Sequence, residues 1–214
     1  MTQLTHVSLV VEDDLSEAVL RRVLCPPHGG FHIDLCYGKK GCAYIRQKIR
    51  GFNNAAKGGP FLVLTDLDNG ACPAALRQQW LSVPQHPNLL FRVAVREVES
   101  WLLADAEGMA RFLGIPPSII PRQPDTIPDP KETLVRLAQK SRSREMRESV
   151  APRPGSTAKV GPDYNGALIR FVGSFWNLEV ATRNSESLRS LRKRTATFQK
   201  VSSTFSPGTR PRRP

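Results

Sequence analysis

In the segment LVLTDLDN, a strongly apolar run delivers Asp66 and Asp68 directly after it. Ionised carboxylates in that position must be solvated, paired or bound to a cation. The two-residue period of a strand puts both on one side of the chain. The first apolar run ends in the same way, at Glu12, Asp13 and Asp14, and residues 89–95 run into Arg96, Glu97, Val98 and Glu99. Three strand ends therefore carry carboxylates. An all-oxygen donor set suits one or two hard divalent ions, so Mg²⁺ or Mn²⁺ is the expected cofactor, with Glu12, Asp66, Asp68 and Glu97 or Glu99 as ligands. Ions held in this way can activate water and stabilise charge during phosphodiester cleavage. Simpler roles compete. Asp13 and Asp14 suit helix N-caps, and Asp68 suits a turn ahead of Asn69-Gly70. Glu97 needs less reach from the strand end than Glu99, which could lie on an exposed helical ledge near Leu102 and Leu103; both stay candidates.

Acids alone repel a polynucleotide, so cations must accompany them. Lys159, just before Gly161-Pro162-Asp163-Tyr164, is the expected catalytic lysine contacting a phosphate or transition state; an ordinary solvated lysine is the alternative. Lys39, Lys40, Arg96 and Lys131 are further candidates. Tyr164 could stack on a base but is expected to pack in the core, as is Trp101. His6, His28, His32 and His86 fall into no zinc-binding spacing, and Cys25, Cys36, Cys42 and Cys72 contain no C-x-x-C pair, which implies free thiols in a reducing compartment. No phosphate-binding G-x-x-x-x-G-K-[ST] motif is present.

The elements that must position these groups alternate. Residues 6–11, 31–37, 60–67 and 89–95 read as strands, and residues 16–24, 42–49, 74–81 and 97–113 as helices, with Asp14 and Glu17 forming a capping-box-like start. This βαβ spacing predicts an α/β domain with a mainly parallel sheet and flanking helices. Residues 51–59 read as a loop. Residues 115–130 hold six prolines and read as an ordered connection, residues 131–140 as a helix, and residues 141–158 as a mobile loop. Residues 166–176 read as a helix returning to the core and residues 185–200 as a final basic helix, with a disordered tail beyond Ser202.

The chain has 214 residues and a formal net charge of +12. Residues 183–214 carry nine basic residues against Glu186 alone, so most of the charge sits at that end. Residues 1–114 are expected to form the α/β core, 115–182 a proline-rich connection and returning helix completing the same domain, and 183–214 a basic helix and tail. The basic end suggests a nucleic-acid partner. No run approaches the roughly 20 apolar residues of a membrane span, and the N-terminus lacks a basic lead, so a cytoplasmic location without membrane attachment is expected.

Glu12 at a first strand end, followed by Asp66-x-Asp68 at a later one, resembles the TOPRIM fold of type IA and type II topoisomerases, bacterial primases and overcoming-lysogenization-defect (OLD) nucleases. Across roughly residues 5–195 the sequence is similar to a family of small bacterial TOPRIM-like proteins related to those nucleases, through VVEDDLSEAVLRRVL, LVLTDLDN, REVESWLLAD, IPDPKETL and GPDYNGALIRFV. The resemblance implies a TOPRIM-like, Rossmann-like fold, with Glu12 as metal ligand or general acid/base. It makes Asp66 and Asp68 the paired metal-binding aspartates and Glu97 or Glu99 an additional ligand. Asp13 stands where the family usually has Gly, which could alter the approach of a phosphate or bring Asp13 into the site. Topoisomerase and full primase activities are not expected. The leading expectation is a Mg²⁺- or Mn²⁺-dependent nuclease acting on DNA or RNA, with a separate ATPase or defence-system partner and a role against phage suggested by the relatives alone. The alternatives are a non-catalytic nucleic-acid-binding or partner module, and a phosphatase or nucleotide-processing enzyme using the same carboxylates.

Overall fold

The computed structural model describes residues 4–203, with side chains described through Phe198. Four strands, β1 (Thr5–Val11), β2 (Phe31–Gly38), β3 (Phe61–Asp66) and β4 (Leu89–Ala94), form one parallel sheet in the order β2-β1-β3-β4. Because every strand pair is parallel, all four C-terminal ends open on the same edge. The chain leaves β1 for β2 and returns to the other side of β1 for β3. The β1–β3 boundary is therefore the switch point at which α/β sheets leave a crevice.

Both sheet faces are covered. Val7, Leu9 and Val11 point into a large core shared with α1 (Asp14–Leu24), α4 (Val98–Leu103) and α8 (Tyr164–Ser174). Val10, Val63, Phe91 and Val93 point to the other side, against α2 (Gly41–Ala55) and α3 (Pro73–Trp80). Period-2 alternation is thus satisfied on two buried faces, which is why the strands read as nearly continuous apolar runs. The result is a Rossmann-like α/β arrangement. Among the described residues, no helix is long and apolar enough to cross a membrane.

Several elements depart from the expected ones. Of the two candidate caps of α1, Asp13 is the one used, its Oδ1 accepting the Ser16 N–H at 2.8 Å, so the capping-box pairing of Asp14 with Glu17 does not form. Helix α2 continues through Gly51 to Ala55, because Phe52 packs on Tyr37 and Phe61 and Asn53 bonds to Pro84 O and His86 N. Residues 97–113 form two helices, α4 and α5 (Ala106–Leu113). Asp105 breaks them: it is only 1% exposed, and its carboxylate accepts from Gly108 N at 3.1 Å and Asn177 N at 2.7 Å. A buried carboxylate needs such donors, and an unbroken helix would not free them.

The proline-rich connection is ordered, with 3₁₀ turns at Pro117–Ile119 and Pro124–Thr126, and α6 spans Pro130–Gln139. The expected loop at 141–158 contains α7 (Arg144–Val150), capped by Ser143 and anchored by fully buried Val150. A short α9 (Leu178–Asn184) precedes the basic helix α10 (Glu186–Ser203). Leu188, Leu191 and Phe198 of α10 are buried, so this positively charged helix is docked on the domain. The tail proposed beyond Ser202 lies, apart from the backbone of Ser203, outside the described residues.

Candidate functional site

Glu12, Asp66, Glu97 and Glu99 meet at the C-terminal edge of the sheet, on the β1–β3 switch point. Strand β1 ends at Val11, whose carbonyl accepts Lys39 N at 2.9 Å, and the Glu12 carbonyl accepts Gly41 N at 3.0 Å. Gly38, with φ at 101°, makes this clasp fit, since a Cβ there would stand 2.1 Å from Val11 O. The Glu12 side chain then crosses to β3. Its Oε1 accepts from Thr65 Oγ1 and, at 2.9 Å, from Asp66 N. Burial pushes the Glu12 carboxyl up; these two hydrogen bonds oppose the shift, and Asp68 and Asp13 add to it.

Asp66 closes β3, and its Oδ1 accepts Val98 N at 3.1 Å, so it caps the first turn of α4 from across the sheet. Burial holds its pKa well above the usual carboxylate range, helped by the fields of Glu99, Glu12, Asp13 and Glu97. Glu97 is half-buried. Its Oε2 accepts Lys131 N at 2.9 Å, and its Oε1 lies 3.9 Å from Lys131 Nζ. Burial raises its pKa too, with Lys131 opposing.

Glu99 is not the exposed ledge residue considered from sequence. It is 2% exposed; its Oε1 accepts from Tyr164 Oη at 3.1 Å and lies 3.6 Å from Lys131 Nζ. Its Oε2 is buried without a hydrogen-bond partner. Burial pushes its pKa up to about 7 against the pull of Lys131. Burial works against the Lys131 charge, but Glu99, Glu97 and Asp66 hold its ammonium well above its usual range. Lys131 is therefore a counter-charge inside the site rather than a free phosphate ligand. Burial and Glu99 likewise raise the Tyr164 phenol, which keeps it a hydrogen-bond donor to Glu99.

Two expected residues sit apart from this bonded set. Asp68 is exposed, with left-handed φ at 48°, in a loop held to the end of β4 by Arg96 Nη1 bonds to Asp68 O and Gly70 O. Its charge still reaches Glu12 and Glu97. Lys159 is exposed between α7 and α8, and among the described residues it makes no ion pair with these acids. Lys39 is committed to Asp14 at 2.7 Å and Glu17 at 2.6 Å, and Lys40 lies over the Tyr44 ring.

The donor types suit a hard cation: all are carboxylate oxygens, they repel one another, and Glu99 Oε2 is a buried acceptor without a donor. Mg²⁺ or Mn²⁺ matches that chemistry. Among the described residues, however, no three of these carboxylates bring ligand oxygens within 4.8 Å of one another, so a shared ion would require their side chains to turn toward it.

A second cluster went unseen in the sequence. His6 and His32 are direct partners in the β1–β2 register, and Asp34 follows two residues on. His6 Nδ1 lies 2.6 Å from Asp34 Oδ1, and His32 Nε2 lies 3.8 Å from it. All three residues are exposed, and one ligand atom from each lies within 4.8 Å of the others, so the cluster could hold a divalent metal ion. Nitrogen donors favour a zinc-like ion over Mg²⁺. The cluster sits at the opening of β1, and a strand's rise of about 3.3 Å per residue puts Glu12 roughly 20 Å away. Linear spacing conceals it because only strand pairing brings residues 6 and 32 together. No family model, curated protein or solved structure matches the chain.

Proposed function

We propose that this protein is a TOPRIM-like nuclease that hydrolyses DNA or RNA phosphodiesters with Mg²⁺ or Mn²⁺ at the C-terminal sheet edge. One observation carries the reading: Glu12 is bonded to the Asp66 backbone, Asp66 caps the helix bearing Glu99, and Glu97 and Glu99 share Lys131. These bonds tie the three acidic strand ends to one another, which supports reading their carboxylates as one site. Glu12, Asp66, Glu97 and Glu99 would hold the metal, with Asp68 adding negative field at the mouth. When bound, the ion would polarise a phosphate and activate water.

The chain's own residues do the positioning. Thr65 and the Asp66 N–H orient Glu12, while Tyr164 and Lys131 orient Glu99. A carboxylate in this set could accept the proton of the attacking water, while Lys131 balances the charge of Glu97 and Glu99. The resemblance to OLD nucleases extends the proposal to a separate ATPase partner and a role in defence against phage. The test is nicking of supercoiled plasmid in Mg²⁺ and Mn²⁺ by wild type and Asp66→Asn. Metal-dependent nicking by wild type and its loss in the variant support the reading; equal activity of the two proteins refutes the site.

A further inference from the structure

A pocket of about 490 Å³ lies between β4, α3 and the start of α10, lined by Arg77, Arg92 and Arg194. Among the described residues none of these arginines pairs with a carboxylate. Asp125 and the exposed Glu186 also line the pocket; the Asp125 oxygens are taken by Ser185 Oγ at 2.7 Å and Ser187 N at 3.0 Å, and among the described residues Glu186 forms no ion pair with the three arginines. Arg92 Nη2 donates to Ser190 Oγ at 2.8 Å, yet the Nε atoms of Arg92 and Arg77 are buried without an acceptor. Burial, together with the neighbouring Arg77 and Arg194, pulls the Arg92 pKa down to about 10.

Three arginines unpaired with the two carboxylates of the same cavity, with buried donors unmet, are costly unless something binds there. A multi-oxygen anion meets both needs, and guanidiniums match phosphate geometry best. The pocket's place selects the source of that phosphate. Val95 forms part of its wall, two residues before Glu97 of the carboxylate set, and Lys193 is exposed beside Arg194 on α10. An extended strand could occupy both places; a free phosphate could not.

We propose that Arg77, Arg92 and Arg194 form a phosphate-binding subsite for the backbone of a nucleic-acid strand that continues to the carboxylate edge. The choice of a polynucleotide rests on the nuclease reading; the anion chemistry does not.

Binding of a labelled single-stranded oligonucleotide to the full chain in EDTA separates the two, because no metal-dependent cleavage occurs there. Arg92→Gln and Arg194→Gln should each weaken binding roughly 3- to 10-fold and lower the slope of log affinity against log salt by about 0.7 per lost contact. The charge control Arg144→Gln, on exposed α7, should change affinity less than about twofold. Arg194 is exposed, so its replacement reports binding even if Arg92→Gln alters folding. Unchanged affinity and slope in both variants overturns the subsite, as does absence of oligonucleotide binding by wild type. Arg92-dependent stabilisation by inorganic phosphate without Arg92-dependent oligonucleotide binding overturns it in favour of a small-phosphate site. Arginine-dependent binding by a wild type that cleaves nothing leaves the subsite standing and removes the nuclease reading.

Discussion

The hydroxyl of Tyr164 donates to Glu99 Oε1 across 3.1 Å, joining the first turn of α8 to the first turn of α4 inside the core. With Lys131 on the same oxygen, this contact sets where the Glu99 carboxylate can point. Tyr164→Phe keeps the ring packing and removes only the donor. We expect a stability loss of about 1 kcal/mol and a fall in kcat with little change in KM. Denaturant unfolding and steady-state cleavage measure the two effects, and unchanged kcat would show that Tyr164 serves the core alone.

Crowded, partly buried carboxylates oppose folding when no cation is bound. Removing one charge relieves that repulsion and also removes a ligand. Glu99→Gln and Asp66→Asn should therefore raise Tm in EDTA relative to wild type. If Mn²⁺ binds this edge as proposed, both should also lose the stabilisation it would give wild type, about 2.7 kcal/mol at a hundredfold excess over Kd. Thermal unfolding with and without Mn²⁺ reads both effects. An equal Mn²⁺ shift in all three proteins would exclude these residues as ligands.

The two candidate metal clusters should be separable by ion type. His32→Ala should abolish Zn²⁺ binding at the His6, His32 and Asp34 cluster and leave the Mn²⁺-induced thermal shift intact. Asp66→Asn should do the reverse. Calorimetric titration with each ion tests this, and loss of both ions in either variant would contradict independent sites.

Glu17 links stability to acid pH. Burial works to raise its carboxyl, but Lys39 at 2.6 Å and Arg21 at 2.7 Å pull it below its ordinary value of 4.5. A folded pKa below the unfolded one stabilises the protein fully above the unfolded value, and the contribution is lost as pH falls through the folded value. Glu17→Gln should cost roughly 0.5–1 kcal/mol at neutral pH, given the exposed partners, and almost nothing well below pH 4. Urea unfolding of both proteins from pH 3 to 7 checks it; a constant difference across that range would remove the ion pairs as its cause.

Much of the architecture was legible because it depends on local pattern. Apolar runs at βαβ spacing marked all four strands, and the three acidic strand ends marked the edge where Glu12, Asp66 and Glu97 meet. Periodicity misled where tertiary contacts override it. Asp105 splits an apparently continuous helix because Asn177, distant in sequence, donates to it, and Phe52 and Asn53 carry α2 past Gly51 through contacts from other elements.

The residue types and their order therefore determined a parallel α/β sheet with carboxylates at one edge. Only the folded chain decided how those groups are used. Glu99 is buried instead of exposed, Lys131 is a counter-ion instead of a free cation, and His6 and His32 become neighbours. Each of these depends on contacts between residues dozens of positions apart, and such contacts leave no period in the sequence. Burial and charge proximity are properties of that packing, and they decide which carboxylates are available to a metal.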